Sequence, residues 1–182
     1  SVALPPVLRI DGTLVHMERA PLTDEWMRSQ VAALLGEAAL EDALKKFNRD
    51  AGYSYGPVRF RINVGADMRG LTLAIRRLPS RIPAFDDLGL PHAVRQFCEL
   101  ERGLVLVTGP TGSGKSTTLA CLLAHMAIHQ SRHILTLEDP IEFVLPAKKS
   151  IVHQREASLS FTSFSDGLRQ SLRQDPDVIL VG

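Results

Sequence analysis

Residues 104–117 read LVLVTGPTGSGKST. A short aliphatic, β-branched run enters a glycine-rich loop, and an Ala/Leu-rich stretch beginning at Lys115 follows. Gly109, Gly114, Lys115 and Ser116 satisfy G-x-x-x-x-G-K-[ST]. Each part of that pattern has a physical task. Glycines let backbone N–H groups curl around a phosphate without a Cβ in the way. The helix start behind the loop adds its partial positive charge. A lysine reaches the β/γ-phosphates, and the serine hydroxyl can ligate Mg²⁺. With glycine near 7% of residues, a chance match in a chain of this size is on the order of one in a hundred. An ordinary glycine-rich turn is therefore the weaker reading. Gly109, Pro110, Thr111, Gly112, Ser113, Gly114, Lys115, Ser116 and Thr117 are assigned to a nucleoside triphosphate.

The text on either side of the loop predicts an α/β class. Downstream come a helix at about Lys115 to His129, a strand at His133–Leu137, a helix at about Ser163 to Arg173, and a last strand at Val178–Val181. With Leu104–Thr108 these alternate as a parallel sheet does. Upstream, a helix at about His92 to Leu100 follows a stretch with prolines at 79, 83 and 91, which breaks regular structure. The first part reads as α+β. Asp11-Gly12 is a hairpin dipeptide between two short strands. Thr23 can cap a helix carrying Trp26 or Met27, Val31, Leu34 and Leu35 on one face. A second helix carries Leu40, Leu44 and Phe47. Then the period becomes two: Val58, Phe60, Ile62 and Val64, and after a Gly65–Gly70 loop Leu71, Leu73 and Ile75. The expected domains are 1–78, a linker at 79–91, and 92–182.

ILTLEDPIEF, residues 134–143, ends a strand in three carboxylates, Glu138, Asp139 and Glu142. The carboxyl end of a parallel strand is where α/β sheets bind ligands. One acid could polarise an attacking water or hold a metal; capping of a helix start is the plain alternative. Arg59 to Arg81 holds six arginines against Asp67 alone. If the aliphatic faces of the strands are buried, Arg59, Arg61 and Arg76 emerge opposite them. The residues leave three uses open: a solvated face, nucleic-acid binding, or phosphate contact in trans within an oligomer. Only Phe60 is interleaved with these arginines, where a nucleic-acid platform stacks several aromatics.

Other features are less directive. Lys plus Arg (21) nearly balance Asp plus Glu (20), so no global field argues for nucleic acid or an anionic membrane. No apolar run approaches the roughly 18 residues of a membrane-spanning helix. Cys98 and Cys121 lack C-x-x-C spacing and read as reduced, buried thiols. His125, His129 and His133 recur every four residues; metal spacing at 125/129 is weighed against an exposed helix end, which is preferred.

The phosphate loop, LEDPIEF and the terminal DPDVILVG, in that order, resemble the secretion ATPase superfamily of type IV pili and type II secretion. The resemblance is nearest to the PilT-type pilus retraction ATPases and runs through LPPVLRIDG, RFRINV, IRRLPS, GPTGSGKSTTLA, HILTLEDPIEFV and KKSIVHQRE. It implies a PAS-like N-terminal α+β domain followed by a RecA-like P-loop NTPase domain. It implies ATP and Mg²⁺, with Ser116 as the metal ligand. Lys115 and a catalytic glutamate at Glu142 would act together, with Glu138 as a supporting acid. Arg59 or Arg61, Arg69 and Arg76 would approach a nucleotide at a subunit interface. The family's Walker B glutamate would follow Gly182, and its His box lies further on. The chain is thus expected to be a fragment covering about half of a typical member. GADM, residues 65–68, stands where the family has a more polar tract.

The function these features imply is an ATP-hydrolysing motor subunit that powers pilus retraction. It would be hexameric at full length, cytoplasmic and peripheral at the inner membrane. Its partner would be the inner-membrane platform protein, without nucleic acid or direct membrane insertion. The alternatives are a pilus-assembly or type II secretion ATPase, a fragment that binds ATP without turnover, and a nucleic-acid-stimulated RecA-like ATPase.

Overall fold

In the computed structural model, which describes residues 1–46, 48–157 and 159–182, Asp11 and Gly12 take φ of 46° and 83°. Those values suit the two-residue turn joining β1 (Val7–Ile10) to β2 (Thr13–His16), which pair antiparallel. The chain divides into two units, Ser1–Arg77 and Leu78–Gly182, each with its own apolar core.

In the first unit the Thr23 hydroxyl accepts from the Trp26 N–H at 3.2 Å and opens α1 (Asp24–Leu35). Of the two candidate core residues, Met27 is the buried one, at 1% exposure against 45% for Trp26. Leu40 and Ala43 of α2 (Glu37–Lys46) join it; Phe47, expected on the same face, lies outside the described residues. Both helices contact a three-stranded antiparallel sheet of β3 (Asn48–Tyr55), β4 (Val58–Asp67) and β5 (Gly70–Arg77). Ile62, Val64 and Leu71 face the helix core.

Two differences from the sequence reading have physical causes. β3 was not expected, because NRDAGYSY buries only Ala51 and shows no aliphatic alternation. Its strand character comes from pairing with β4, in the register Ala51↔Ile62 and Tyr53↔Phe60. The loop expected at Gly65–Gly70 shrinks to Met68-Arg69, because the β4–β5 ladder continues to Asp67↔Gly70. The Asp67 carboxylate accepts the Arg69 N–H at 2.7 Å, and Gly70 takes φ of 124°.

The second unit is built on a parallel sheet in the order β7-β6-β8: β6 (His133–Glu138) lies between β7 (Ile151–Glu156) and β8 (Val178–Val181). Ile134, Leu135, Thr136 and Leu137 of β6 are each 0% exposed. An apolar run covered on both faces is what a central parallel strand requires. Two shorter helices are α3 (His92–Arg95), continued by a 3₁₀ turn, and α5 (Phe164–Ser171), capped by Ser163. Between them lies the fifteen-residue α4 (Lys115–His129). The proline-rich residues 79–91 pack Phe85, Ile82, Leu88 and Leu90 against Leu122, Leu123, Met126 and Ile134. Among the described residues no helix is long and apolar enough to cross a membrane.

The expected strand at Leu104–Thr108 is not one. The segment has no regular structure and no ladder partner among the described residues, and Leu104 and Leu106 are 83% and 75% exposed. A gap of about 420 Å³, lined by Leu104 to Val107 and by Val178 to Val181, separates it from β8. A continuous aliphatic run fits a pleated, buried surface; it does not by itself supply the neighbouring strand. β7 is the converse case, a strand absent from the sequence reading, whose IVHQRE shows a mostly polar face.

Cys98 and Cys121 are free and buried. Cys98 is 0% exposed, its thiol donates to the Leu122 carbonyl at 3.7 Å, and burial pushes it up to about 11. Burial raises Cys121 as well. A raised thiol holds less thiolate, the reactive form. Iodoacetamide at about pH 8 should therefore label neither cysteine at a useful rate in the folded protein and both in denaturant; rapid native labelling would contradict this packing.

Candidate active site

Gly109, Gly112 and Gly114 take φ of 152°, 81° and 89°, a region that favours glycine. A Cβ on Gly109 would lie 2.7 Å from Ser113 Oγ. Gly114, in the left-handed conformation, hands the loop to α4, and the Thr118 N–H bonds back to its carbonyl at 2.9 Å. The first turn of α4 has no acid, so its positive end is not neutralised locally. Lys115 Nζ donates to the Gly109 and Pro110 carbonyls, both at 2.9 Å. Further along, Ala120 to Ala124, Met126 and Ala127 are buried, which anchors the helix and hence the loop.

The carboxylates come from the far end of β6. Glu138 closes the buried strand, a cis Asp139–Pro140 bond turns the chain, and Glu142 follows. Glu138 accepts from the Thr136 hydroxyl at 2.6 Å, from Gln154 Nε2 at 3.1 Å, and from the Glu142 backbone N–H. Burial raises its carboxyl above the ordinary 4.5; the three hydrogen bonds pull the other way, and the Glu142 charge adds to the rise. The next turn is held from β7. Glu156, 3% exposed, accepts the Ile141 N–H at 3.1 Å. Gln154 accepts the Leu145 N–H at 2.7 Å and donates to the Phe143 carbonyl at 2.8 Å.

These parts meet in one cavity of about 90 Å³. Its lining includes Ser116, Glu138, Asp139, Glu142, Gln154 and Gly182. The first turn of the loop helix, the acids and the end of β8 are thus brought together. Ser116 brings a hydroxyl oxygen, a ligand type that hard cations prefer, while the acids of the cavity do not converge into a metal-holding group of their own.

The arginines belong to the first unit. Arg61 stands directly across the ladder from Arg76, and Arg59 shares their face. Arg61 pairs with Asp50 at 3.0 Å, Arg59 bonds Ser54 Oγ at 3.2 Å, and Arg69 lies in the turn, 3.6 Å from Asp67. The Asp67 carboxyl is held below its ordinary value, chiefly by the Arg69 backbone N–H. The histidines separate: the His125 and His129 rings lie 4.6 Å apart, tilted by 47°, on α4, whereas His133 opens β6 and meets His153 at 3.0 Å. No group of three or more His, Cys, Asp or Glu side chains among the described residues could hold a metal ion.

Thr136, Gln154 and Glu156 were missed by the sequence reading. The available signal was IVHQRE itself: alternating polar residues inside an α/β pattern mark an edge strand with a working face.

Residues 48–182 match the type II/IV secretion system protein family. The chain is 40% identical over 183 residues to the type IV pilus retraction ATPase PilT of Pseudomonas aeruginosa, covering all of this chain and 53% of that protein. It is 38% identical to a twitching motility protein of Neisseria gonorrhoeae, over 97% of this chain and 48% of that one. A crystal structure of the pilus retraction motor PilT with bound ADP superposes with a TM-score of 0.92 at 42% identity, covering 100% of this chain and 54% of that one. The chain thus spans about half the length of these relatives.

The Glu138 shift has a sign that can be measured. A carboxyl raised on folding binds its proton more tightly in the native state, so stability is lost as pH rises from its ordinary value through the folded one. Glu138→Gln lacks that charge. Its melting temperature relative to the parent should therefore rise as pH goes from about 4 to about 7, measured by circular dichroism; a difference that stays flat or falls would contradict the assignment.

Proposed function

The chain belongs to the family of type II/IV secretion system proteins, and from that premise we propose that it is the nucleotide-hydrolysing portion of a pilus retraction motor. The observation that carries the reading is the shared cavity, in which the loop serine Ser116 meets Glu138 and Glu142. A phosphate site and a pair of acids within one small space is the arrangement that phosphoanhydride hydrolysis needs.

In this reading Gly109 to Gly114 present backbone N–H groups to the β- and γ-phosphates of ATP. Lys115 leaves the loop carbonyls and places its charge on the phosphate oxygens. Ser116 would hold Mg²⁺, which when bound supplies positive charge at the phosphate oxygens. Glu142 orients a water and takes its proton as the water oxygen bonds to the γ-phosphorus. The bond from that phosphorus to the bridging oxygen breaks, and ADP leaves with the electron pair. Glu138 is occupied by three hydrogen bonds, so its part is to fix the backbone at Glu142.

Arg59, Arg61, Arg69 and Arg76 complete the site in trans, from a neighbouring copy in a hexameric ring. Permanent charge and a rigid fork suit arginine to this task. The ring would work in the cytoplasm against an inner-membrane platform protein and draw the pilus back. Over nearly the whole chain, the identity to a retraction ATPase and a twitching motility protein, 40% and 38%, exceeds the 35% to a pilus-assembly ATPase, which favours retraction over assembly.

Two measurements test this. The chain should bind a fluorescent ADP analogue, and Lys115→Ala should weaken binding at least about tenfold, the worth of a lost hydrogen bond to a charged group. Turnover by the 182 residues alone should be low, since they span about half of the relatives' length. Binding indifferent to Lys115 would remove the nucleotide reading, whereas robust Mg²⁺-dependent turnover by this chain would remove only the requirement for further residues.

A further inference from the structure

We propose that Gln154 is a positioning residue that holds the two acids of the site in register, a role that rests on the ATPase reading above. Its side-chain amide is used at both ends. Oε1 accepts the Leu145 N–H at 2.7 Å, while Nε2 donates to the Phe143 carbonyl at 2.8 Å and to Glu138 Oε1 at 3.1 Å. One planar group thus joins β7, the end of β6 and the turn that carries Glu142.

The amide orientation follows from its partners. The Leu145 N–H can only donate, and the Phe143 carbonyl can only accept, so Oε1 faces the first and Nε2 the second. Reversing the amide would set donor on donor, and oxygen on the carbonyl and on the Glu138 carboxylate. Phe143 and Leu145 are buried, so water is no ready substitute for either bond. Glu138, fixed through Oε1 by Gln154 and Thr136, in turn accepts the Glu142 N–H. The placement of Glu142 beside Ser116 is therefore inherited from Gln154 through Glu138.

Only an amide of this length meets all three demands. A glutamate at 154 could accept from Leu145, but its second oxygen would face the Phe143 carbonyl and the Glu138 carboxylate with no proton to share. A leucine would fill the space and satisfy nothing. Neither change touches the loop Gly109–Thr117, so nucleotide affinity should survive while the chemical step suffers.

The experiment is single-turnover ATP hydrolysis by the full-length protein, held in excess over nucleotide, alongside affinity for a fluorescent ADP analogue. Gln154→Leu and Gln154→Glu should each slow the step by about 10- to 100-fold, the usual cost of misplacing a reacting group, and leave ADP affinity within about twofold. In a Glu142→Gln background, Gln154→Leu should add nothing, because its effect passes through Glu142. A rate within about twofold of the parent overturns the proposal, as does a loss of ADP affinity equal to the loss of rate, or full additivity with Glu142→Gln. Should Gln154→Leu fail to fold, Gln154→Glu decides: it keeps the length and the acceptor for Leu145 but removes the donor to Phe143 and Glu138, and an unchanged rate there overturns the proposal. Hydrolysis insensitive to Lys115→Ala or Glu142→Gln would instead sink the ATPase reading itself.

Discussion

Glu138 stands where a fully buried strand runs out, and a carboxylate in that place must be ringed by donors. The four residues before it have no exposed surface, so the strand delivers the acid to a fixed point, and burial acts against its charge. A hydroxyl from its own strand, an amide from the next strand and a backbone N–H from the following turn supply the offset. An unsatisfied carboxylate there would cost several kcal/mol, of order 3–5 when a buried partner is removed. The need to satisfy one group therefore selects the polar face of β7, the path of residues 139–145 and the position of Glu142.

The parts legible in the sequence were those whose cause is local. Gly109–Thr117 announces its loop because the glycines are needed where they stand, and α4 begins and ends where predicted. Thr23 and Asp11-Gly12 act through bonds and torsions spanning three residues or fewer, and both behave as expected. What escaped was pairing across distance. NRDAGYSY becomes a strand because β4 offers it a ladder, whereas LVLV, a better strand by composition, has none among the described residues. The acids Glu138 and Glu142 were visible as a cluster, but Gln154 and Glu156 lie more than ten residues downstream and acquire their meaning only once β7 pairs with β6.

The first unit follows the same two-sided logic with a different outcome. Its helices cover one face of the antiparallel sheet, so alternation puts Arg59, Arg61 and Arg76 on the other. Like charges directly opposite across a ladder cost a few tenths to about 1 kcal/mol. Asp50 answers part of that charge at Arg61.

Lys115 shows how the site can exchange partners at little cost. Its two hydrogen bonds go to the carbonyls of Gly109 and Pro110, both exposed residues. If the ammonium moved to a phosphate, as proposed, water could take over both carbonyls, so no buried acceptor would be stranded and the loss would be near the net worth of a hydrogen bond, about 1 kcal/mol each. The gain would be a charge-assisted bond to an oxygen carrying full negative charge, roughly twice as strong. The glycines give the loop backbone torsional room, while the buried length of α4 anchors its far end. The lysine that would change partners is bonded only to exposed residues, whereas Glu138 opposite is tied by hydrogen bonds from its own strand and the next.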